Sequence, residues 1–206
     1  MAIIGASNPY YAIYNANGGN PTYSNGGRMG ALVEFNFELE STDNNNFYAD
    51  NKVQESQRRF SNGTVTLQTD DLGPEVSAAI NGLTPSALGT IDGVTDTDVQ
   101  ELVWNDAQES PYLGIGVIQK KMKNNAILWR AIILTKIIFD IPNEAATTEG
   151  EEIDWQVPEI TGSIMRDDSA QHSWKREATF TTEAQADAYI RNRLNIPAAT
   201  PAAATT

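Results

Sequence analysis

The chain has 206 residues, no cysteine, a single histidine (His172) and a formal net charge of −13. Without cysteine there can be no disulfide and no thiolate metal site, and one imidazole leaves almost no material for histidine-based metal binding or catalysis. The charge excludes ordinary nucleic-acid binding, since affinity for phosphates comes from Lys and Arg releasing counterions; passage of DNA beside a repelling surface stays open, and plain solubility accounts for the same charge.

The length suits one domain able to bury a real core, expected here over 1–196, and the 40% apolar fraction with many Asn, Thr, Gln and Ser favours strands and turns over long helices. The first eight residues have no basic region followed by an apolar stretch. The longest apolar run, 131–141, is interrupted by Thr135, Lys136 and Asp140, so no segment reads as a membrane span. The expectation is a soluble protein made in the cytoplasm without export and without membrane insertion.

In chain order, the aromatic, β-prone stretch 10–14 ends at the turn-rich Asn17-Gly18-Gly19-Asn20, and a second such cluster follows at Asn25-Gly26-Gly27. Residues 30–40 alternate. Ala31, Val33, Phe35, Phe37 and Leu39 fall on one predicted face, and Leu32, Glu34, Asn36, Glu38 and Glu40 on the other, which predicts a strand with one buried and one wet side. The polar stretch 42–56 then predicts a long loop, able to extend roughly 50 Å at about 3.3 Å per residue. Its Phe47, Tyr48 and Val53 argue against plain disorder, because they want a surface to cover. A strand over 58–69 places Val65, Leu67 and Thr69 on one face.

Pro74 opens a predicted helix over 74–81, with Val76, Ala79, Ile80 and Leu83 as its buried stripe and Gly82 at its end. An acidic connector over 84–110 carries the short apolar piece Leu102-Val103-Trp104. Segments 111–121 and 126–139 predict a hairpin around Lys123-Asn124-Asn125. Both faces of the second strand are apolar, so core or a partner subunit must cover each. A further strand is predicted over 151–157, and a strand pair, 160–166 with 172–180, around Asp167-Asp168-Ser169. Thr182 and Gln185 form a capping box opening a helix whose apolar face is Ala186, Tyr189, Ile190 and Leu194. The Pro/Ala/Thr segment 197–206 is expected to be mobile. Some eight strands and two short helices make the expected fold mainly β: an antiparallel sandwich or partial barrel with one or two short helices.

No motif carries convincing chemistry. Gly114-Ile115-Gly116 lies within a predicted strand, lacks a third glycine and opens no helix, so it is no dinucleotide loop. Asp92, Asp96, Asp98 and Glu101 do not follow the calcium-loop spacing. His172 near Asp167, Asp168 and Ser169 is local proximity in a turn, not evidence for a triad. Asp70-Asp71 reads as a turn leading into a helix. The expectation is no enzyme, no cofactor and no metal.

The order and spacing of several segments are nevertheless specific. They are Phe47-Tyr48-Ala49-Asp50-Asn51-Lys52, Phe60-Ser61-Asn62-Gly63-Thr64-Val65-Thr66-Leu67, Asp71-Leu72-Gly73-Pro74-Glu75-Val76, Pro111-Tyr112-Leu113-Gly114, Trp129-Arg130-Ala131, Thr147-Thr148-Glu149-Gly150-Glu151, Met165-Arg166-Asp167-Asp168 and Trp174-Lys175-Arg176-Glu177-Ala178. Together they resemble the major tail tube proteins of bacteriophages with long, non-contractile tails, over nearly the whole chain. The resemblance implies a virion structural protein, made in the bacterial host, whose subunits form rings, commonly hexamers, that stack into a tube for genome ejection. It implies as partners further copies of the chain and the tape-measure, terminator and distal tail proteins, with DNA passing through the lumen without specific binding. It also implies that segment 42–56 reaches a neighbouring ring, with Phe47, Tyr48, Asp50, Asn51, Lys52 and Val53 at the contact. Glu34, Asn36, Glu38 and Glu40, and secondarily Glu152 and Asp154, are candidates to line the pore; their alternative position is outer solvent. Competing expectations are a tube protein of a contractile or secretion machine and a monomeric β-sandwich decoration or adhesion module.

Overall fold

The computed structural model describes residues 2–42, 45–50, 52–96, 99–143 and 157–197. The expectations for Asn51, Asp98, Glu152, Asp154, the strand at 151–157 (all but Val157) and the tail from 198 onward lie outside those residues.

The centre of the molecule is the hairpin of β9 (Leu113–Lys123) and β10 (Ala126–Phe139). Lys123 pairs with Ala126, and the two residues between them, Asn124 and Asn125, have φ of 51° and 61°. Two consecutive left-handed residues make the turn whose twist matches that of the strands, and Asn tolerates that conformation better than most side chains. Around this hairpin an antiparallel sheet is ordered β2-β1-β9-β10-β11-β6-β3, with β12 also paired to β10. The remaining members are β1 (Ala2–Asn15), β2 (Thr22–Arg28), β3 (Leu32–Ser41), β6 (Phe60–Thr69), β11 (Glu159–Met165) and β12 (Lys175–Phe180). Two small two-stranded ladders stand apart: β4 (Asn45–Ala49) with β5 (Lys52–Gln57), and β7 (Ser86–Ala87) with β8 (Gln100–Glu101). The fold is mainly β with two short helices, an antiparallel sandwich or partial barrel as the sequence predicts.

Two apolar cores lie on opposite faces of the sheet, and the strand alternation explains both. Tyr11, Val65, Leu67, Leu113, Ile115, Val117, Leu134, Ile137, Phe139 and Ile164 meet in the larger core. It is plugged by Val76, Ala79 and Ile80 of α1 (Pro74–Asn81), which begins at Pro74 and ends at Gly82 in the left-handed conformation, φ 70°. On the other face, Ala12, Ile118, Ala131 and Ile133 pack under Ala186, Ile190 and Leu194, from α2 (Glu183–Arg193) and the residue after it. Each fully buried Leu or Ile contributes about 1.5–3 kcal/mol, so these two clusters dominate the stability. From Ala131 onward the doubly apolar β10 is therefore covered by the protein's own core on both sides, while Ala126 and Ile127 at its start are exposed. A register shift between Leu134 and Ile137 returns Ile137 and Phe139 to the larger core.

Several expectations need correction. The alternation of 31–40 is broken by bulges at both ends of β3. The register shifts between Leu32 and Glu34, so Leu32 packs on the larger core while Val33 is 56% exposed; a second shift, between Leu39 and Ser41, leaves Leu39 at 43%. Phe35 and Phe37 point inward as predicted. The 42–56 segment is not a loop: its described residues form the β4–β5 hairpin, whose neck is closed by Thr42 N–H donating to the Arg59 carbonyl at 2.8 Å. Asn25-Gly26-Gly27 lies within β2 rather than in a turn, with Asn25 at φ 48° beside a register shift in β1. Finally, β11 and β12 are not a strand pair. They lie end to end along one edge of β10, β12 opposite Trp129–Leu134 and β11 opposite Lys136–Phe139. The tight segment joining them, held by Asp167 N–H to the Ser173 carbonyl at 2.7 Å, moves the chain from one partner position to the next.

A candidate assembly surface

The outer side of the sheet is covered by α2 over β1, β9, β10 and β12. Thr182 caps that helix, its hydroxyl accepting from Gln185 N–H at 3.4 Å, worth about 1 kcal/mol. The Gln185 side chain accepts from the Thr181 hydroxyl at 3.3 Å instead of turning back to the cap residue. The helix approaches β9 closely because Gly114 and Gly116 carry no side chain there. A Cβ at 114 would collide with Tyr23 and Leu194, and one at 116 with Ile190. The Gly114-Ile115-Gly116 sequence is thus a helix-packing groove.

Over β3, β6 and β11 no described element covers the outer side, which is polar. Register partners in antiparallel strands share a face. Glu34 lies opposite Gln68, which lies opposite Glu159; Asn36, Thr66 and Thr161 form the next row, and Glu38, Thr64 and Ser163 the third. Gln68 Nε2 donates to Glu159 Oε2 at 2.8 Å. The three rows hold three carboxylates and no Lys or Arg. A shallow depression between Asn36, Phe37, Glu38, Thr64 and Thr66 marks their middle. Glu34, Asn36, Glu38 and Glu40 are all exposed, but Glu40 falls at the second bulge, outside the rows. Sequence reasoning found the β3 members of this face and missed Thr64, Thr66, Gln68, Glu159, Thr161 and Ser163. Their signal was present as polar residues alternating with Val65, Leu67, Ile160 and Ile164.

Beside this face, β3 is the terminal strand of the sheet, and β2 is the terminal strand at the other end. Beyond β3 the β4–β5 hairpin carries the proposed contact residues Phe47, Tyr48, Asp50, Lys52 and Val53. Phe47 and Tyr48 lie on β4, Lys52 and Val53 on β5, and Asp50 in the turn between them with φ 51°. Asp50 and Lys52 are exposed. Exposed apolar side chains occur on the 84–110 connector, at Ile91, Val94, Val99, Val103 and Trp104.

Asp70, Asp167, Ser169 and His172, weighed for chemistry in the sequence, are tied into local turns. Ser169 Oγ donates directly to Asp167 Oδ1 at 2.5 Å, and His172 Nδ1 lies 3.4 Å from the Asp167 main-chain carbonyl, not its carboxylate. Asp70 Oδ1 accepts from the N–H groups of Ala31 (2.6 Å) and Asp71 (2.9 Å), a turn clamp. Among the described residues no three His, Cys, Asp or Glu side chains are grouped to hold a metal, and no helix is long and apolar enough to cross a membrane.

Local electrostatics are concentrated near β12. Lys175, at 2.8 Å, and Arg130 hold Glu177 down to about 2. Lys136 and then the Tyr14 hydroxyl lower Asp168, at 2.9 and 2.8 Å. Burial, followed by the hydrogen bond to Asp187 at 2.6 Å, pushes Tyr10 up to about 12. These pairs join β1, β10 and α2 and serve to hold the fold.

Among the described residues the fold defines a mainly β protein with an acidic and hydroxyl-bearing sheet face, a terminal strand beside it and an appended hairpin. No protein-family model matches the chain, and no curated protein matches it.

Proposed function

We propose that the chain is a tail tube subunit of a long, non-contractile bacteriophage tail, acting in the virion as a structural protein and not as an enzyme. One observation carries this reading furthest. The strand that ends the sheet, β3, is also the strand that bears Glu34, Asn36 and Glu38. A neighbour adding its own strand to that edge satisfies the edge's main-chain groups and continues the polar face into the next subunit. Closure of such contacts around an axis gives a ring with an acidic, hydroxyl-rich wall. DNA slides past such a wall without adhering, since every subunit repeats the same repelling carboxylates. The β4–β5 hairpin is the element available to reach a second ring, with the tape-measure, terminator and distal tail proteins as the other partners of the tube.

Negative-stain microscopy of the purified chain at rising concentration tests this. Rings or tubes of uniform width are expected. A chain that stays monomeric at every concentration would remove the reading and favour a decoration or adhesion module. Tubes found inside a contractile sheath in the native particle would favour the related contractile machines.

A further inference from the structure

Beside α2, on the side of the sheet away from the larger core, lies a cleft of about 430 Å³. Its floor is Ile133 and its walls come from Tyr23, from Arg176 on β12 and from Arg193 and Asn195 at the end of α2. Among the described residues neither guanidinium has an ion pair or a hydrogen bond; Arg193 only lies over the Tyr189 ring, 5.6 Å from its centroid. The other arginines near this helix and strand are engaged, Arg191 by Asp187 at 2.6 Å and Arg130 by Glu177. Asp167 lines the same cleft. It is 2% exposed, its Oδ1 is taken by Ser169, and its Oδ2 is buried without a partner. The cleft thus offers two unanswered cationic forks and one unanswered buried acceptor.

A simple anion answers the forks but not the acceptor. An acidic residue of a polypeptide answers both, its carboxylate between the guanidiniums and its main-chain N–H toward the carboxylate oxygen. The charge of the chain names the source. With 27 Asp and Glu against 14 Lys and Arg, acidic side chains are what another copy most readily presents. We propose that this cleft is a socket for an acidic residue of a second copy of the chain, clamped by Arg176 and Arg193 beside Asp167. The proposal rests on the self-assembly reading above and adds where one copy grips the next.

The test compares the full-length chain with Arg176→Glu/Arg193→Glu, with Arg193→Glu alone, and with Arg28→Glu/Lys123→Glu. The last is a control at exposed positions with the same change in net charge as the first. Assembly is read by sedimentation and microscopy, and folding by circular dichroism. The expected result is a more than about tenfold loss of assembled material for both cleft variants with unchanged spectra, and little loss for the control. Arg193 is exposed, so its single replacement guards against a folding defect at half-buried Arg176. Full assembly of the folded cleft variants, or an equal loss in the control, overturns the socket and leaves the tube reading intact. A wild-type chain that never assembles overturns the tube reading and the socket together.

Discussion

Gly116 lies directly beneath Ile190: a Cβ built on the strand residue would overlap the isoleucine's branched methyl on α2. Ile190 is fully buried and shares its cluster with Ile118, Ala131 and Ile133. Gly116→Ala is therefore expected to lift the helix off the sheet and destabilise the chain by about 1–3 kcal/mol, the usual cost of overpacking. Urea denaturation checks this, and the midpoint should fall while the slope stays the same. Gly5→Ala, where a Cβ meets nothing within 4 Å, is the matched substitution expected to do no such harm.

Acid should weaken the contact between β12 and β10 in a defined window. The folded state holds Glu177 at about 2, against an ordinary 4.5, through Lys175 and Arg130. A depressed carboxylate stabilises the fold above its unfolded value and loses that contribution as pH falls through its folded value. The difference in stability between wild type and Glu177→Gln should thus be constant above pH 4.5 and vanish towards pH 2. The Glu177 side chain is 44% exposed, so solvent screening keeps the difference below about 1 kcal/mol. Tyr10 behaves oppositely. Raised to about 12, it stabilises below pH 10 and its contribution disappears as pH rises through 12, a loss that Tyr10→Phe should not show. Thermal melts across both ranges read the two effects.

The neck at Thr42 and Arg59 makes the β4–β5 hairpin separable. Besides the main-chain bond, Arg59 N–H donates to Thr42 Oγ1 at 3.2 Å, so residues 42 and 59 stay adjacent without the hairpin's help. Replacing 43–58 with Asn-Gly should leave a folded subunit with a melting temperature within a few degrees of wild type. On the tube reading, rings still form and stacking stops. Tubes of normal length from this variant would end the assignment of the hairpin to ring-to-ring contact.

Charge on the bare face is also directly testable. Glu34→Lys/Glu38→Lys changes two exposed residues and should alter stability by no more than about 0.5 kcal/mol per site. If the face lines a DNA path, assemblies of the variant should co-sediment with added DNA at low salt and release it as salt rises, whereas wild type carries none down. Equal behaviour of the two proteins would put these residues on the outside.

Much of the fold was legible because local rules and packing agree along most of the chain. Pro74 and Gly82 bracket α1, Thr182 opens α2, and Asn124-Asn125 turns the central hairpin, each through a conformational preference of its own side chain. What the alternation could not show was a bulge. Leu32 and Val33 exchange places because the register to β6 slips by one residue, and nothing in the local pattern marks the slip. Nor could sequence order reveal that β11 and β12 share β10 without pairing with each other, since adjacency along the chain suggests a hairpin. Of the candidate surface, the β3 row was visible as alternating acids. The β6 and β11 members alternate with apolar residues as well, but Thr and Ser are common on any strand and only the register lines them up with β3.

The pairing of β1 with β9 has a consequence for how the protein comes into being. Ala12 finds Gly114 only after the ribosome has delivered a further hundred or so residues, whereas β3 and β6 find each other across one short hairpin. The β1–β2 and β3–β6 pairs can thus form early, while β1 waits for β9 on its other edge and for its cover by α2. If copies of the chain assemble, a nascent chain accordingly lacks a finished surface to offer completed ones. On the tube reading, synthesis itself would then set the moment at which a subunit can join others.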